Sequence, residues 1–337
     1  MNRFAPRPRG LPPRTSHRVI SPAARAILAT FGGILLAAAP LARSARGESV
    51  LLPPRAEQAL AAIYGGNPGK GIVLAQALER EQAGDPLGYL LEAEARWWRI
   101  YCSACEIKWG MVDAWKRPKK PGDGAYLALA AKAIQLARAR LAKSDSAEMH
   151  LYAGMGWALE ARLYGLRDNR TKTARSGVAA RAEFLQALRL DPQMADAKAG
   201  LGLYNYYVDT LSPLIKFLRV FLGIPGGSKE EGIRQMREGM DRGVLLRTDA
   251  RFYLAKSLRT YDQRYDDALA AAAPLAADYP RNPVFQLLAG NLNAELGRKA
   301  PAEDYFRAAV AASGNPAEPD CAKRMRDLAE SFLASLR

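Results

Sequence analysis

Small and helix-ending residues recur in this chain at a spacing of 34 residues, and this recurrence constrains the fold more than any other feature. Ala268 and Ala302 are 34 residues apart, and the same step from Pro280 reaches Gly314. The sequence between these positions is rich in Ala and Leu, with apolar residues at helical rather than alternating spacing. Because proline cannot continue a helix, each unit is predicted to be a pair of helices that ends near Pro280 or its equivalent.

Positions inside the unit repeat as well. Ala302 is followed by Phe306 and Ala309 at +4 and +7, and Ala180 is followed in the same way by Phe184 and Ala187. Small residues let the two helices of a unit approach closely, and the phenylalanines fill the gap toward the next unit. These markers resemble those of the tetratricopeptide repeat (TPR), whose unit is two antiparallel helices. The resemblance implies an all-α, TPR-like solenoid of helical hairpins that forms a right-handed superhelix.

The most specific part of the resemblance lies between residues 201 and 233. It consists of the segments Leu201–Tyr207, Leu211–Leu218 and Leu222–Ile233. They resemble a little-characterised group of bacterial exported TPR proteins and, more distantly, the Iml-type TPR proteins of eukaryotes. In the eukaryotic comparison an Asp-Arg pair follows the Gly-rich turn, where this chain has Ser228-Lys229. What the resemblance implies is a repeat fold without a known catalytic activity, and it supplies no functional residues.

The repeat markers are uneven along the chain, which suggests three regions. Residues 1–44 are predicted to be a signal segment, residues 53–165 irregular helical hairpins, and residues 166–337 the TPR-like repeats. An apolar insertion at 211–224 separates the two helices of one unit, the second of which carries Gly232 and Gly239. We expect the hairpins and repeats to stack in one solenoid domain.

The N-terminal segment has the three-part layout of a secretory signal peptide. Residues 1–25 are rich in Arg and Pro without acidic residues, Ala26–Leu41 is apolar, and Ala42-Arg43-Ser44 provides small residues at the spacing of a cleavage site. The apolar run is shorter than the roughly 20 residues that span a bilayer as a helix. An uncleaved N-terminal anchor is the alternative. We therefore expect an exported protein of the periplasm or cell envelope, soluble or peripheral.

The net charge of +15 suggests an anionic partner, but its distribution changes this interpretation. Eight arginines and no acidic residue lie in residues 1–47, so about half of the excess charge belongs to the predicted signal segment. Much of the remainder lies in two loops, residues 116–120 and 167–175. Solvated loops are the first interpretation and attraction to an anionic lipid or acidic partner is the second. We expect no nucleic-acid partner.

Histidine content excludes several classes of enzyme. The chain has only two histidines, and His17 lies in the predicted signal segment, so His150 is the only imidazole of the folded region. Sites with several histidine ligands are impossible, and a nucleophilic triad would have to use His150. No nucleophile is marked for it. We therefore expect no enzyme activity, no catalytic residues, no metal site and no cofactor, and a structural role for His150.

Cys102-Ser-Ala-Cys105 is a C-x-x-C motif, with Cys321 as a possible third thiol. In an exported chain such thiols can be oxidised to a disulfide, because the compartment is oxidising. A strand context for a thioredoxin fold and a second C-x-x-C for zinc are both missing from the sequence. Packing or a local disulfide between Cys102 and Cys105 is therefore the prediction, and a redox or metal-binding protein is the alternative function.

Aromatic residues cluster between positions 97 and 115. The cluster comprises Trp97, Trp98, Tyr101, Trp109 and Trp115. Packing between hairpins is the first interpretation, and an aromatic platform for a ligand is the alternative.

A solenoid of this class offers an inner surface lined by the first helices of its units, which can hold a peptide or a helix of another protein. We therefore predict a scaffold that mediates protein–protein interaction. In this register the inner surface carries Tyr206, Tyr207, Tyr253, Ser257, Thr260, Asn291 and Glu295.

The insertion at 211–224 supports an alternative function, a peripheral membrane protein. Ser212 and Pro213 can begin a helix, Gly223 can end it, and the residues between are almost all apolar. Burial between repeats is the first interpretation. Docking on an anionic membrane or a partner would use Leu214, Lys216, Phe217, Arg219 and Val220.

Overall fold

We analysed a computed structural model of the chain. It describes residues 51–108, 110–114, 116–212, 216, 223–314 and 318–336. The predicted signal segment and most of the 211–224 insertion lie outside the described residues. The described helices belong to one compact unit.

The described part of the chain is built from thirteen α-helices and one short β-hairpin. The helices are α1 Pro54–Tyr64, α2 Pro68–Glu81, α3 Pro86–Ala104, α4 Asp123–Leu141, α5 Ala147–Leu166, α6 Arg170–Leu190, α7 Ala195–Asp209, α8 Lys229–Arg242, α9 Arg247–Ser257, α10 Tyr265–Asp278, α11 Pro283–Glu295, α12 Lys299–Ala312 and α13 Pro319–Ser335. A π-helical turn, Leu258–Asp262, follows α9 directly. The predicted all-α, TPR-like fold is confirmed.

Helix starts follow from local sequence. Asn67, Asp85 and Asn282 each accept a hydrogen bond from a backbone N–H in the first turn of the helix that follows them. A proline then occupies the first helical position in each case, where its missing N–H costs nothing. Ser228 caps α8 in the same way, accepting from the N–H of Glu231. These starts depend on residues that are adjacent in sequence.

Successive helices pack against each other, and glycines set the close contacts. A Cβ atom added to Gly290 of α11 would lie 2.7 Å from the ring of Phe306 in α12. Gly154 and Gly200 meet the ring of Phe184 in the same way, from α5 and α7. The phenylalanines recognised from their spacing therefore fill junctions between helices. Phe184 contacts the helices on both sides of it, whereas the contact of Phe306 with Gly290 lies within one hairpin.

The two ends of the helical array contact each other. The side chain of Asn282 at the start of α11 donates a hydrogen bond to the carbonyl of Tyr64 in α1, at 2.8 Å. α13 packs against α3, where the Arg99 guanidinium and the Glu318 carboxylate form an ion pair at 2.7 Å. The first and last helices described in the structure are thus held in one packing unit.

The β-hairpin lies between α3 and α4 and was not predicted. Strands β1 Cys105–Lys108 and β2 Met111–Ala114 pair antiparallel, with Lys108 opposite Met111. Gly110 adopts a φ of 74° in the turn, a conformation that glycine adopts without strain. Part of the signal was present in the sequence, since residues 105–108 alternate in polarity and Gly110 follows them.

No helix within the described residues is long and apolar enough to cross a membrane.

Candidate binding surface

Helices α7, α9 and α11 carry the predicted inner surface, and side chains of helix α3 pack against α9 and α11. The indole N–H of Trp97 donates to the Tyr253 hydroxyl at 3.0 Å. The ring of Trp98 lies edge-on to Phe252 at 5.0 Å and to Phe285 at 5.3 Å between centroids. Edge-to-face contacts of this kind add to the gain from burying apolar area. The aromatic cluster of α3 is therefore core packing across the inner surface.

The β-hairpin covers a neighbouring part of the same surface. Asn291 of α11 donates from its side-chain amide to the carbonyl of Gly110 in the turn, at 2.7 Å. Asp113 of β2 forms ion pairs with Lys256 at 2.8 Å and with Arg259 at 3.5 Å. Asp113 and Arg259 are both almost fully buried. The hairpin is thus held by Asn291, which was predicted to lie on a partner-binding surface, and by Lys256 and Arg259, which lie next to predicted surface residues in sequence.

A second buried ionic cluster lies between α3, α5 and α9. Arg162 donates to Glu94 at 2.7 Å and to Asp249 at 2.6 Å, and the indole of Trp98 donates to Glu94 at 2.9 Å. The pKa of Glu94 is raised to about 8, chiefly because the carboxyl is buried; Arg162 acts to lower this pKa and the nearby Asp249 carboxylate acts to raise it. Asp249 keeps one carboxylate oxygen without a hydrogen-bond partner. This cluster links three helices in the interior.

These contacts correct the prediction of an open inner surface. Tyr253, Ser257 and Asn291 are all buried, and Tyr253 and Asn291 are contacted by α3 and the hairpin of the same chain. Glu295 is exposed beside Gly110, and Thr260 is half-buried. The reason is tertiary: the spacing of repeats shows which face turns inward, whereas it does not show that an internal helix and hairpin occupy that face.

Part of the predicted surface remains accessible at its edge, where three tyrosines meet. Tyr206 and Tyr207 of α7 pack edge-on at 5.7 Å, and Tyr261 of the π-helical turn lies 6.2 Å and 6.1 Å from their ring centroids. We call Tyr206, Tyr207 and Tyr261 the tyrosine rim. Tyr206 is fully buried, whereas Tyr261 is 53% exposed. The sequence predicts Tyr206 and Tyr207 as surface residues but not Tyr261, because no repeat marker points to a π-helical turn.

Polar contacts hold the tyrosine rim in place. The hydroxyl of Tyr206 donates to Asp262 at 2.8 Å, and Lys229 at the start of α8 forms an ion pair with the same carboxylate. The Ser257 hydroxyl donates to the hydroxyl of Tyr207 at 3.3 Å, and burial raises the pKa of Tyr207 to about 12. Helices α7, α8 and α9 thus converge on one site. Single π-helical turns are frequent at functional sites.

The membrane-docking residues of the insertion are described only in part. Leu214, Phe217, Arg219 and Val220 lie outside the described residues. Lys216 forms an ion pair with Asp209 at 2.6 Å. The acid of α7 thus neutralises the one described cation of the insertion.

The prediction of a local disulfide is wrong. Cys102 pairs with Cys321 of α13, and Cys105 is a free, fully buried thiol in β1. Burial raises the pKa of Cys105, with a further contribution from the Asp113 carboxylate. The physical reason is that α3 ends at Ala104, so Cys105 leaves the helix and the two cysteines no longer share a helix face.

The imidazole ring of His150 lies between two carboxylates. Its two ring nitrogens lie 2.6 Å from a carboxylate oxygen of Glu183 in α6 and 2.9 Å from one of Asp145 before α5. Within the described residues, no group of three or more His, Cys, Asp or Glu could hold a metal ion.

The stacked helical hairpins define an all-α, TPR-like solenoid with an internally occupied inner surface. No protein-family model matches the chain, and no curated protein matches its sequence. Among solved structures, the chain is similar to the C-terminal part of a TPR repeat-containing protein from Cytophaga hutchinsonii. The two are 15% identical, the alignment covers 83% of this chain and 95% of that structure, and the TM-score is 0.35.

Proposed function

We propose that the protein is a non-enzymatic scaffold that binds another protein at the tyrosine rim, in the cell envelope. The observation that carries the proposal is the exposure of Tyr261 on a π-helical turn, supported from below by two tyrosines. A rigid aromatic side chain that is already ordered loses little entropy on binding, which is why tyrosine is frequent at interface hot spots.

The filled inner surface supports the rim rather than the interior as the docking place. A peptide would have to displace Trp97 and the hairpin to reach Tyr253 or Asn291, and would leave buried groups such as Arg259 without partners. At the rim, Tyr261 needs no such displacement. The N-terminal signal-like segment supports the envelope as the compartment.

The test is a crosslinking pull-down from the native cell envelope with wild-type protein and Tyr261→Ala. We expect at least about tenfold lower capture of specifically crosslinked partners by the variant, in the range of a hot-spot truncation. Tyr305→Ala is the matched control, since Tyr305 is a half-buried tyrosine of α12 away from the rim. Unchanged capture by Tyr261→Ala, with an unchanged circular dichroism spectrum, would exclude the rim as the docking place.

A further inference from the structure

The two basic segments of the chain, residues 116–120 and 167–175, lie side by side in the structure. The second was expected to be a loop, but only residues 167–169 are loop, and residues 170–175 are the start of α6. The backbone N–H of Arg117 donates to the carbonyl of Leu166 at 2.8 Å. Lys116 forms an ion pair with Asp168 at 2.8 Å. Tertiary contacts therefore join two segments that are about 50 residues apart in sequence.

A buried ion pair fixes this junction. Arg167 makes two hydrogen bonds to the Asp123 carboxylate, at 2.7 Å and 2.8 Å, and these hydrogen bonds lower the pKa of Asp123. Asp123 also accepts from the backbone N–H of Lys120 at 3.1 Å. The side chain of Arg167 is only 4% exposed. Arg167 thus holds the two segments together, whereas most of the other cations in them are exposed to solvent.

The surface that results is strongly basic. We call it the basic patch, and its exposed cations are Lys116, Lys119, Lys120, Arg170, Lys172 and Arg175. Asp168 is the one exposed carboxylate of the two segments, and it is shared by Lys116 and Arg170. Among the described residues, Lys119, Lys120 and Arg175 form no ion pair. Most of the charge of the patch is therefore uncompensated.

The position of these cations is unfavourable for the fold alone. Arg170, Lys172 and Arg175 lie in the first two turns of α6, and the first turn of α6 carries no acidic residue. The N-terminal end of a helix carries partial positive charge, so cations there are repelled by the helix dipole and by one another. An external anionic surface would relieve this repulsion.

We propose that the basic patch docks the protein on an anionic phospholipid surface. The patch has no large exposed hydrophobic side chain among its described residues, and Tyr164 is covered by the ammonium of Lys172, 5.1 Å from its ring centroid. Protein interfaces depend on anchored aromatic or arginine hot spots in fitted pockets, whereas a lipid headgroup layer is recognised by the number of exposed cations. The patch is a separate surface from the tyrosine rim, so either proposal can fail without the other.

The test compares binding of the full chain to vesicles of phosphatidylcholine with 30% phosphatidylglycerol and to vesicles of phosphatidylcholine alone. The patch variant is Lys119→Glu, Lys120→Glu and Arg175→Glu. The control is Arg80→Glu, Lys143→Glu and Lys299→Glu, with the same change in net charge at exposed positions elsewhere. We expect the partition coefficient on anionic vesicles to fall on the order of 100-fold in the patch variant, since each of the three cations near such a surface contributes roughly fivefold.

We expect the partition coefficient of the control variant to fall by less than about threefold. Binding of the wild-type protein to anionic vesicles should weaken when the salt concentration is raised from about 50 to about 300 mM. The N-terminal apolar segment contributes equally to both variants, and binding to phosphatidylcholine alone measures it. The proposal would be overturned if the partition coefficient fell equally in the two variants. It would also be overturned if the wild-type protein bound vesicles equally well with and without phosphatidylglycerol. Binding of a polyglutamate peptide without binding to anionic vesicles would overturn it as well, in favour of an acidic protein partner.

Discussion

Cys102 of α3 and Cys321 of α13 form a disulfide between positions 219 residues apart, with Cα atoms separated by 5.3 Å. The bond lies near the ion pair between Arg99 and Glu318, so a covalent and an ionic contact hold the last described helix against the third. A cross-link over a long sequence distance restricts the unfolded chain strongly.

The first prediction concerns this disulfide. Replacing both Cys102 and Cys321 with Ala should lower the free energy of unfolding by about 3–4 kcal/mol, because the unfolded chain regains entropy. Urea unfolding measures the change. Wild-type protein kept reduced should unfold at nearly the same urea concentration as the double variant. Peptide mapping that finds Cys102 joined to Cys105 instead would contradict the assignment.

The second prediction concerns the contact between Gly290 and Phe306. Gly290→Ala should destabilise the protein by about 1–3 kcal/mol, since the added methyl group would overlap the phenylalanine ring. Gly124→Ala is the matched control, because nothing lies within 4 Å of its added Cβ. There the loss of backbone freedom in the unfolded chain should stabilise α4 by about 0.5–1 kcal/mol. Equal effects of the two changes on the thermal midpoint would contradict the close packing.

The third prediction concerns the pH dependence of stability. The pKa of Glu94 is raised to about 8 in the folded protein, above its ordinary value of 4.5, chiefly because the carboxyl is buried. The folded state therefore holds a proton that the unfolded state releases between these values, and stability should fall as pH rises from about 5 to 8. In Glu94→Gln, the decrease in the free energy of unfolding between pH 5 and pH 8 should be smaller by roughly 2–4 kcal/mol. Chemical unfolding at several pH values tests it, and an equally steep slope in the variant would refute it.

The fourth prediction concerns the buried carboxylate of the hairpin. Asp113→Ala leaves Arg259, which is 1% exposed, without its ionic partner, so the free energy of unfolding should fall by about 3–5 kcal/mol. The hairpin should also become sensitive to limited proteolysis at residues 105–114. Asp266→Ala is the control, because the ion pair of Asp266 with Arg298 is exposed and should contribute little. A comparable decrease in the free energy of unfolding in both variants would show that the buried ion pairs of Asp113 do not stabilise the protein more than an exposed pair does.

Much of the fold could be predicted from sequence because its determinants are local. The hairpin α11–α12 follows from the spacing of Ala302, Phe306 and Ala309, and the region predicted to form helical hairpins, residues 53–165, contains helices α1 to α4 and most of α5. Caps and prolines act on the residues next to them, so a single chain contains all the information that they carry.

The candidate site was predicted only in part. The repeat register predicts that Tyr253 and Asn291 lie on one surface, whereas the groups that cover them, Trp97 and the hairpin, come from a region without repeat markers. Tyr261 could not be found in this way, since a π-helical turn shifts the helical register on which such predictions depend.

The sequence by itself determined the all-α hairpin architecture, the faces that pack and the small set of residues available for chemistry. Only the tertiary structure decided that Cys102 joins Cys321, that the inner surface is occupied by the same chain, and that two distant segments form one basic patch. The reason is that helix formation and capping are contacts between near neighbours, whereas these three features depend on how the ends of a long array meet in space.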